Sequence, residues 1–203
     1  MHVFKPSTEG WLGRYENNTF ENYQLEEYNK AVTYVKNKRI AIDVGANLGM
    51  MSYRMCREFE HVHSIEPLFA EYIKPNVRAD NITIHEVAVG ETEKTVSMRV
   101  GQHHSGGSNV VEWTSDITQT YNRNIKCVTI DSLNIEDVDF IKIDVEHYEW
   151  FALQGANETI EMYHPIIMME VKKDNPYRNQ IMKFMKVRNY EHEPIGEMDF
   201  VFK

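Results

Sequence analysis

Asp43-Val44-Gly45-Ala46-Asn47-Leu48-Gly49 is the stretch of this sequence with the clearest chemical purpose. It follows an apolar run from Ile40 and opens a helical pattern. Such a junction must turn sharply and let a ligand approach the main chain. Glycine serves both needs, because it lacks Cβ and accepts positive φ. Asn47 stands where a third glycine could be, and asparagine is among the few other residues that visit left-handed geometry. The helix N-terminus beyond offers N–H groups to a carboxylate or phosphate. Glu66 closes a second apolar run 23 positions after Asp43. In α/β nucleotide sites an acid at about that spacing binds the ribose hydroxyls. Three residues separate Gly45 from Gly49, so the G-x-G-x-x-G dinucleotide fingerprint fails, and there is no G-x-x-x-x-G-K-[ST] phosphate loop.

A second group of chemically capable residues lies further along. Asp144 and Glu146 end the apolar run that starts at Val138, and Lys142 interrupts it. Strand alternation puts Lys142 and Asp144 on one face. A lysine there is expensive unless paired, so an ion pair is expected. Glu170 ends another apolar run and either faces a substrate or joins Asp144 and Glu146 in an oxygen-rich Mg²⁺ or Ca²⁺ site. The metal is the less favoured of the two. His103-His104 precede Ser105-Gly106-Gly107-Ser108 in a long segment of the kind that often forms a lid. His104, titrating near neutrality, is a candidate general base, and His147 is another. Trp113 and Tyr121 offer ring faces to a sugar or to the core.

These residues need elements to hold them. The pattern predicts strands over 40–44, 61–65, 82–87, 138–145, 166–171 and 200–202. It predicts helices over 19–36, 48–59, 68–78, 149–155 and 176–186, with Gly155 as a C-cap. Residues 94–100 and 126–130 read as strands with one wet face, and 101–124 as a long loop. Strands alternating with helices predict an α/β fold with a mainly parallel sheet and ligands at the carboxyl ends of its strands. Residues 1–36 read as an extension with one helix, and 37–203 as the ligand-binding domain.

Composition narrows the field. The 203 residues carry 22 Lys and Arg against 31 Asp and Glu, a net charge of −9. That disfavours a protein gripping nucleic acid through its phosphates, or docking on anionic lipid. The N-terminus shows no signal-peptide pattern, and no apolar run could span a bilayer. Cys56 and Cys127 fit neither a disulfide framework nor a zinc site. A cytoplasmic protein with reduced thiols is the expectation.

The motifs together resemble the FkbM-type methyltransferases. Ile42 to Gly49 is similar to their opening motif, Ser64-Ile65-Glu66-Pro67 to their ribose-binding step, and Glu86-Val87-Ala88-Val89-Gly90 to the segment after strand three. Gly106-Gly107-Ser108 resembles a small-residue loop of the family. The most specific block is Val128 to Leu133, then Val138 to Glu146, continuing through Glu149 to Ala156. The resemblance implies a Rossmann-like class I fold with helices on both faces, and S-adenosylmethionine (SAM) held by Asp43, Gly45, Ala46, Asn47, Gly49, Glu66, Pro67, Val87, Ala88 and Asp144. It also implies methylation of a sugar or small-molecule hydroxyl, with Asp144, Glu146, His104 or His147 acting on the acceptor. Asp144 would hold the cofactor's ammonium or take the acceptor's proton. Where the family usually has glycine after Asp-Val-Glu, this chain has His147, which puts the local turn in question. Two other readings stand beside this one: a nucleotide-dependent oxidoreductase, and a non-catalytic binding module of the same fold.

Overall fold

A computed structural model describes residues 21–100, 109–110 and 121–203. A seven-stranded sheet runs through the molecule in the order β10-β11-β9-β8-β1-β2-β3. Its strands are β1 (Ile40–Val44), β2 (His61–Ile65), β3 (Ile82–His85), β8 (Val138–Ile143), β9 (Ile166–Glu170), β10 (His192–Pro194) and β11 (Asp199–Phe202). The first five are parallel; β11 runs antiparallel to β9, and β10 antiparallel to β11.

Both faces of this sheet are covered, which is why its strands read as continuous apolar runs. On one face Ile42, Val44, Ile141 and Ile143 pack under α4 (Glu149–Gln154), α5 (Asn157–Tyr163) and α6 (Arg178–Val187). On the other, Ala41, Phe140, Met168 and Val201 meet α1 (Leu25–Val32), α2 (Met50–Met55) and α3 (Ala70–Val77). Tyr28 and Ala31 of α1 are fully buried there. A second, four-stranded sheet in the order β4-β7-β5-β6 joins β4 (Ala88–Val89), β5 (Lys94–Val100), β6 (Asn109–Val110) and β7 (Tyr121–Val128). Its residues Ala88, Val96, Met98 and Cys127 pack on Leu48, Phe69 and Tyr148, so it buttresses the loops at the carboxyl end of the main sheet. Cys56 and Cys127 are buried free thiols.

The α/β architecture is as expected, with local corrections. The first helix starts at Leu25 rather than at 19, because Gln24 is left-handed at φ 47° and residues 21–24 form a turn. Residues 121–124, expected in the loop, belong to β7, whose ladder with β5 supplies hydrogen bonds that the polar Asn122-Arg123-Asn124 run does not advertise. α5, β10 and the two-residue strands β4 and β6 were not expected, β6 lying within the segment read as a loop. Gly155 is the C-cap of α4, as expected, and is right-handed at φ −78°. A Cβ there would lie 2.0 Å from the Gly90 carbonyl oxygen, and close approach of two segments is what requires glycine.

Candidate active site

β1 lies at the centre of the parallel sheet, and the turns after β1, β2 and β8 converge at its carboxyl edge. They line a cavity of about 110 Å³. Gly45, Ala46 and Asn47 form one wall, Glu66 and Pro67 the next, and Asp144, Val145 and Glu146 a third. Gly45 sits at φ +82°, and a Cβ on it would lie 1.9 Å from the main-chain oxygen of Asp144. Only glycine lets the two turns come this close. Asn47 and Gly49 are left-handed too, at φ 51° and φ 87°.

Glu66 is the hub of the cavity. Its Oε1 accepts the N–H groups of Leu68 at 2.7 Å and Phe69 at 3.1 Å, and its Oε2 accepts that of Asn47 at 2.9 Å. Burial pushes its pKa up, while these three donors oppose the shift. An ionised carboxylate offers about four acceptor sites, so roughly one is left for a ligand hydroxyl. Pro67, Val87, Ala88 and Val145 continue the cavity into an apolar annex of about 40 Å³.

Asp43 is not among the residues that line the cavity. It is fully buried behind the cavity wall, where Ser52 Oγ donates to its Oδ2 at 2.5 Å and Lys142 Nζ lies 4.0 Å from its Oδ1. The register of β1 on β8 sets Asp43 beside Lys142, and alternation turns Asp144 the same way. Lys142 donates to Asp144 Oδ2 at 3.1 Å, which gives the expected ion pair. Burial alone would lower the Lys142 pKa, but Asp144 and Asp43 together hold it above the usual lysine range. Gly49 packs against Val77 and Ile73 of α3 rather than lining the cavity.

Asp144 and Glu146 both line the cavity; His147 does not. Glu146 and His147 are consecutive left-handed residues, at φ 49° and φ 73°. His147 therefore keeps the conformation that a glycine would take. The turn is pinned by Glu149, whose Oε1 accepts the N–H groups of Val145 at 3.3 Å and His147 at 3.1 Å. Burial raises the Glu149 pKa to about 7. Lys172 Nζ lies 2.6 Å from Glu146 and 3.4 Å from Glu170, occupying with an ammonium the place where a bridging metal cation would sit. Among the described residues no group of His, Cys, Asp and Glu is arranged to hold a metal ion. The Glu170 pKa is raised to about 7, first by burial and then by Asp144. His103, His104 and Trp113 lie outside the described residues.

The sequence reading missed Tyr23, Met50, Met51 and Met98, all of which line the cavity. Tyr23 lies in a stretch with no motif, and the methionines look like core filling. A wider cleft of about 520 Å³ lies at the opposite edge of the sheet, beside Arg39 and Asp139. Parallel sheets bind ligands at their carboxyl ends, and Arg39 there is spent on Asp139 through contacts of 3.0 and 2.8 Å.

A parallel sheet with an antiparallel β11, a glycine turn after β1 and an acid after β2 define a Rossmann-like methyltransferase fold. The solved structure of the methyltransferase FkbM from Methylobacillus flagellatus KT superposes with a TM-score of 0.56 at 20% identity, over 82% of this chain and 44% of that one. This chain thus spans less than half the length of that protein. The precorrin 8W decarboxylase of Methanobacterium thermoautotrophicum superposes with a TM-score of 0.52 at 9% identity, over 89% and 88% of the two chains. No curated protein matches the chain. The family model for the methyltransferase FkbM domain matches residues 43–193, and the chain belongs to that family.

Proposed function

We propose that this protein is a SAM-dependent methyltransferase acting on a hydroxyl of a sugar or small molecule. The observation that carries the reading is the Glu66 carboxylate, fixed by main-chain donors from two turns with one acceptor site left, facing a glycine turn that leaves room for a nucleoside. The residues suit the cofactor in two further ways. Asn47 Oδ1 is buried and has no hydrogen-bond partner among the described residues, so it can accept a ligand donor. The annex at Pro67, Val87 and Ala88 is apolar enough for a base.

When bound, SAM supplies an electrophilic methyl group on a sulfonium. The chain's part is to align, exclude water and move a proton. Asp144, in contact with Lys142, takes the cofactor's ammonium. Glu146, held by Lys172, orients the acceptor hydroxyl. The acceptor's proton passes to Glu146, the carboxylate that lines the cavity beside it, while Glu170, its pKa raised to about 7 by burial, lies outside the lining and is joined to Glu146 through Lys172. The acidic surface favours a small or carbohydrate acceptor over nucleic acid.

Binding tests the reading first. S-adenosylhomocysteine at about 100 times its Kd should add roughly 2.7 kcal/mol of stability, seen as a rise of a few degrees in Tm. NAD should give no rise. Glu66→Gln keeps one acceptor oxygen but turns an NH2 toward at least one of the main-chain donors and removes the acceptor site left for the ligand, and should weaken that binding at least tenfold. Unchanged affinity in the variant, or no shift in the wild type, would sink the assignment.

A further inference from the structure

Residues 21–24 precede the family match, yet they reach the cavity. Tyr23 lines it together with Lys142 and Asp144. The segment is strapped down from two sides. Arg54 of α2 donates from its two terminal nitrogens to the carbonyls of Tyr23, at 2.8 Å, and Glu21, at 2.9 Å. Gln24 donates to Asp199 Oδ1 of β11 at 3.4 Å. α2 is also the helix that begins at the Gly49 turn, so one element carries both the cofactor turn and the clasp of the strap.

The cofactor proposed above ends in a zwitterion, which requires a partner for each charge. Asp144 serves an ammonium. Among the described lining residues Lys142 is the only cation, and it is shared with Asp43 and Asp144. A carboxylate in that corner needs a second donor, and Tyr23 is the neutral hydroxyl that the strap brings over it. Burial, and next the charge of Asp144, raise the Tyr23 pKa, so the phenol keeps its proton and can donate.

We infer that Tyr23 is a cofactor-binding residue which, with Lys142, takes the carboxylate of the amino-acid end, and that Arg54 positions it by holding the strap. This inference rests on the SAM reading. The test compares two probes: S-adenosylhomocysteine, and 5′-methylthioadenosine, which has the same nucleoside without the amino-acid end. Titration calorimetry on the full chain should show Tyr23→Phe weakening S-adenosylhomocysteine about tenfold or more, the usual loss for a hydrogen bond to a charged group, while 5′-methylthioadenosine is unchanged. Arg54→Lys cannot fork onto two carbonyls and should weaken the same probe, with little further effect in the Tyr23→Phe background. If Tyr23→Phe binds S-adenosylhomocysteine as the wild type does, or loses both probes equally, this role is wrong and the cofactor assignment survives. If the wild type binds neither probe, the cofactor assignment falls and takes this inference with it.

Discussion

His147 shows how a single residue can keep a turn that its side chain disfavours. At φ 73° it follows Glu146 at φ 49°, and the pair turns the chain so that Glu146 faces the cavity. A left-handed residue with a Cβ costs about 1–2 kcal/mol, and glycine in exchange frees the unfolded chain by about 0.4–1 kcal/mol. The two effects partly offset each other. His147→Gly should therefore change stability by less than about 1 kcal/mol in urea denaturation. His147→Val should lose about 2 kcal/mol or more, because a β-branched residue at this φ is a true outlier. Equal losses for both variants would mean that the imidazole, not the backbone, matters. The departure from the family's glycine is thus absorbed locally, and it weighs little for a degraded site.

Among the elements, α5 depends on a residue far from it in sequence. Asp131 accepts the N–H groups of Glu158 at 3.0 Å and Thr159 at 2.9 Å, and the Thr159 hydroxyl at 2.7 Å. It does the work of an N-cap, while the residue in the cap position, Ala156, makes no side-chain bond. Asp131→Ala should lower stability by about 2 kcal/mol, the upper part of the N-cap range. Amide exchange across residues 157–163 should then quicken ahead of the β-strands. No loss, or uniform quickening, would refute the cap. The same distance explains why α5 was illegible: its cap lies outside any local window. α1 is the companion case. Its apolar face was readable, but that Tyr28 and Ala31 close the core against Phe140 and Met168 depends on the chain's return to β8 and β9.

For the whole molecule, buried titrating groups set a pH dependence. Glu149 and Glu170 are raised to about 7, from about 4.3 when unfolded. Between those values the folded state holds protons that the unfolded state has lost. Their contribution is full at low pH and is lost as pH rises through 7. His63 acts in the opposite sense. Burial first, then His85 and His61, lower it to about 4, so its contribution is full above about 6.5 and is lost as pH falls through 4. Asp199, raised to about 6 chiefly by burial, and Asp43 and Glu66, also raised by burial, act with the two glutamates, while His85, lowered by burial, acts with His63. The carboxyls outnumber the imidazoles, and the ligand-free protein should melt higher at pH 5.5 than at pH 7.5. Glu170→Gln should narrow that gap, and His63→Gln should widen it. A flat profile that neither variant alters would show these groups to be solvated.

Local pattern alone determined the strands and helices of the main sheet apart from β10 and α5, the Gly45–Gly49 turn, Glu66 as its partner acid and the Lys142–Asp144 pair. Each is a matter of short range: period two along a strand, a glycine where the chain must fold back, an acid at the end of an apolar run. Only the tertiary structure decided which of these residues line the cavity. Register set Asp43 behind Lys142 rather than in the cavity. Lys172, arriving from the turn after β9, filled the gap between Glu146 and Glu170 that sequence could read as a metal site. Arg54 brought Tyr23 over the cavity from a segment with no motif. Each of these joins residues tens of positions apart, and such contacts form only when the sheet brings their strands and turns together.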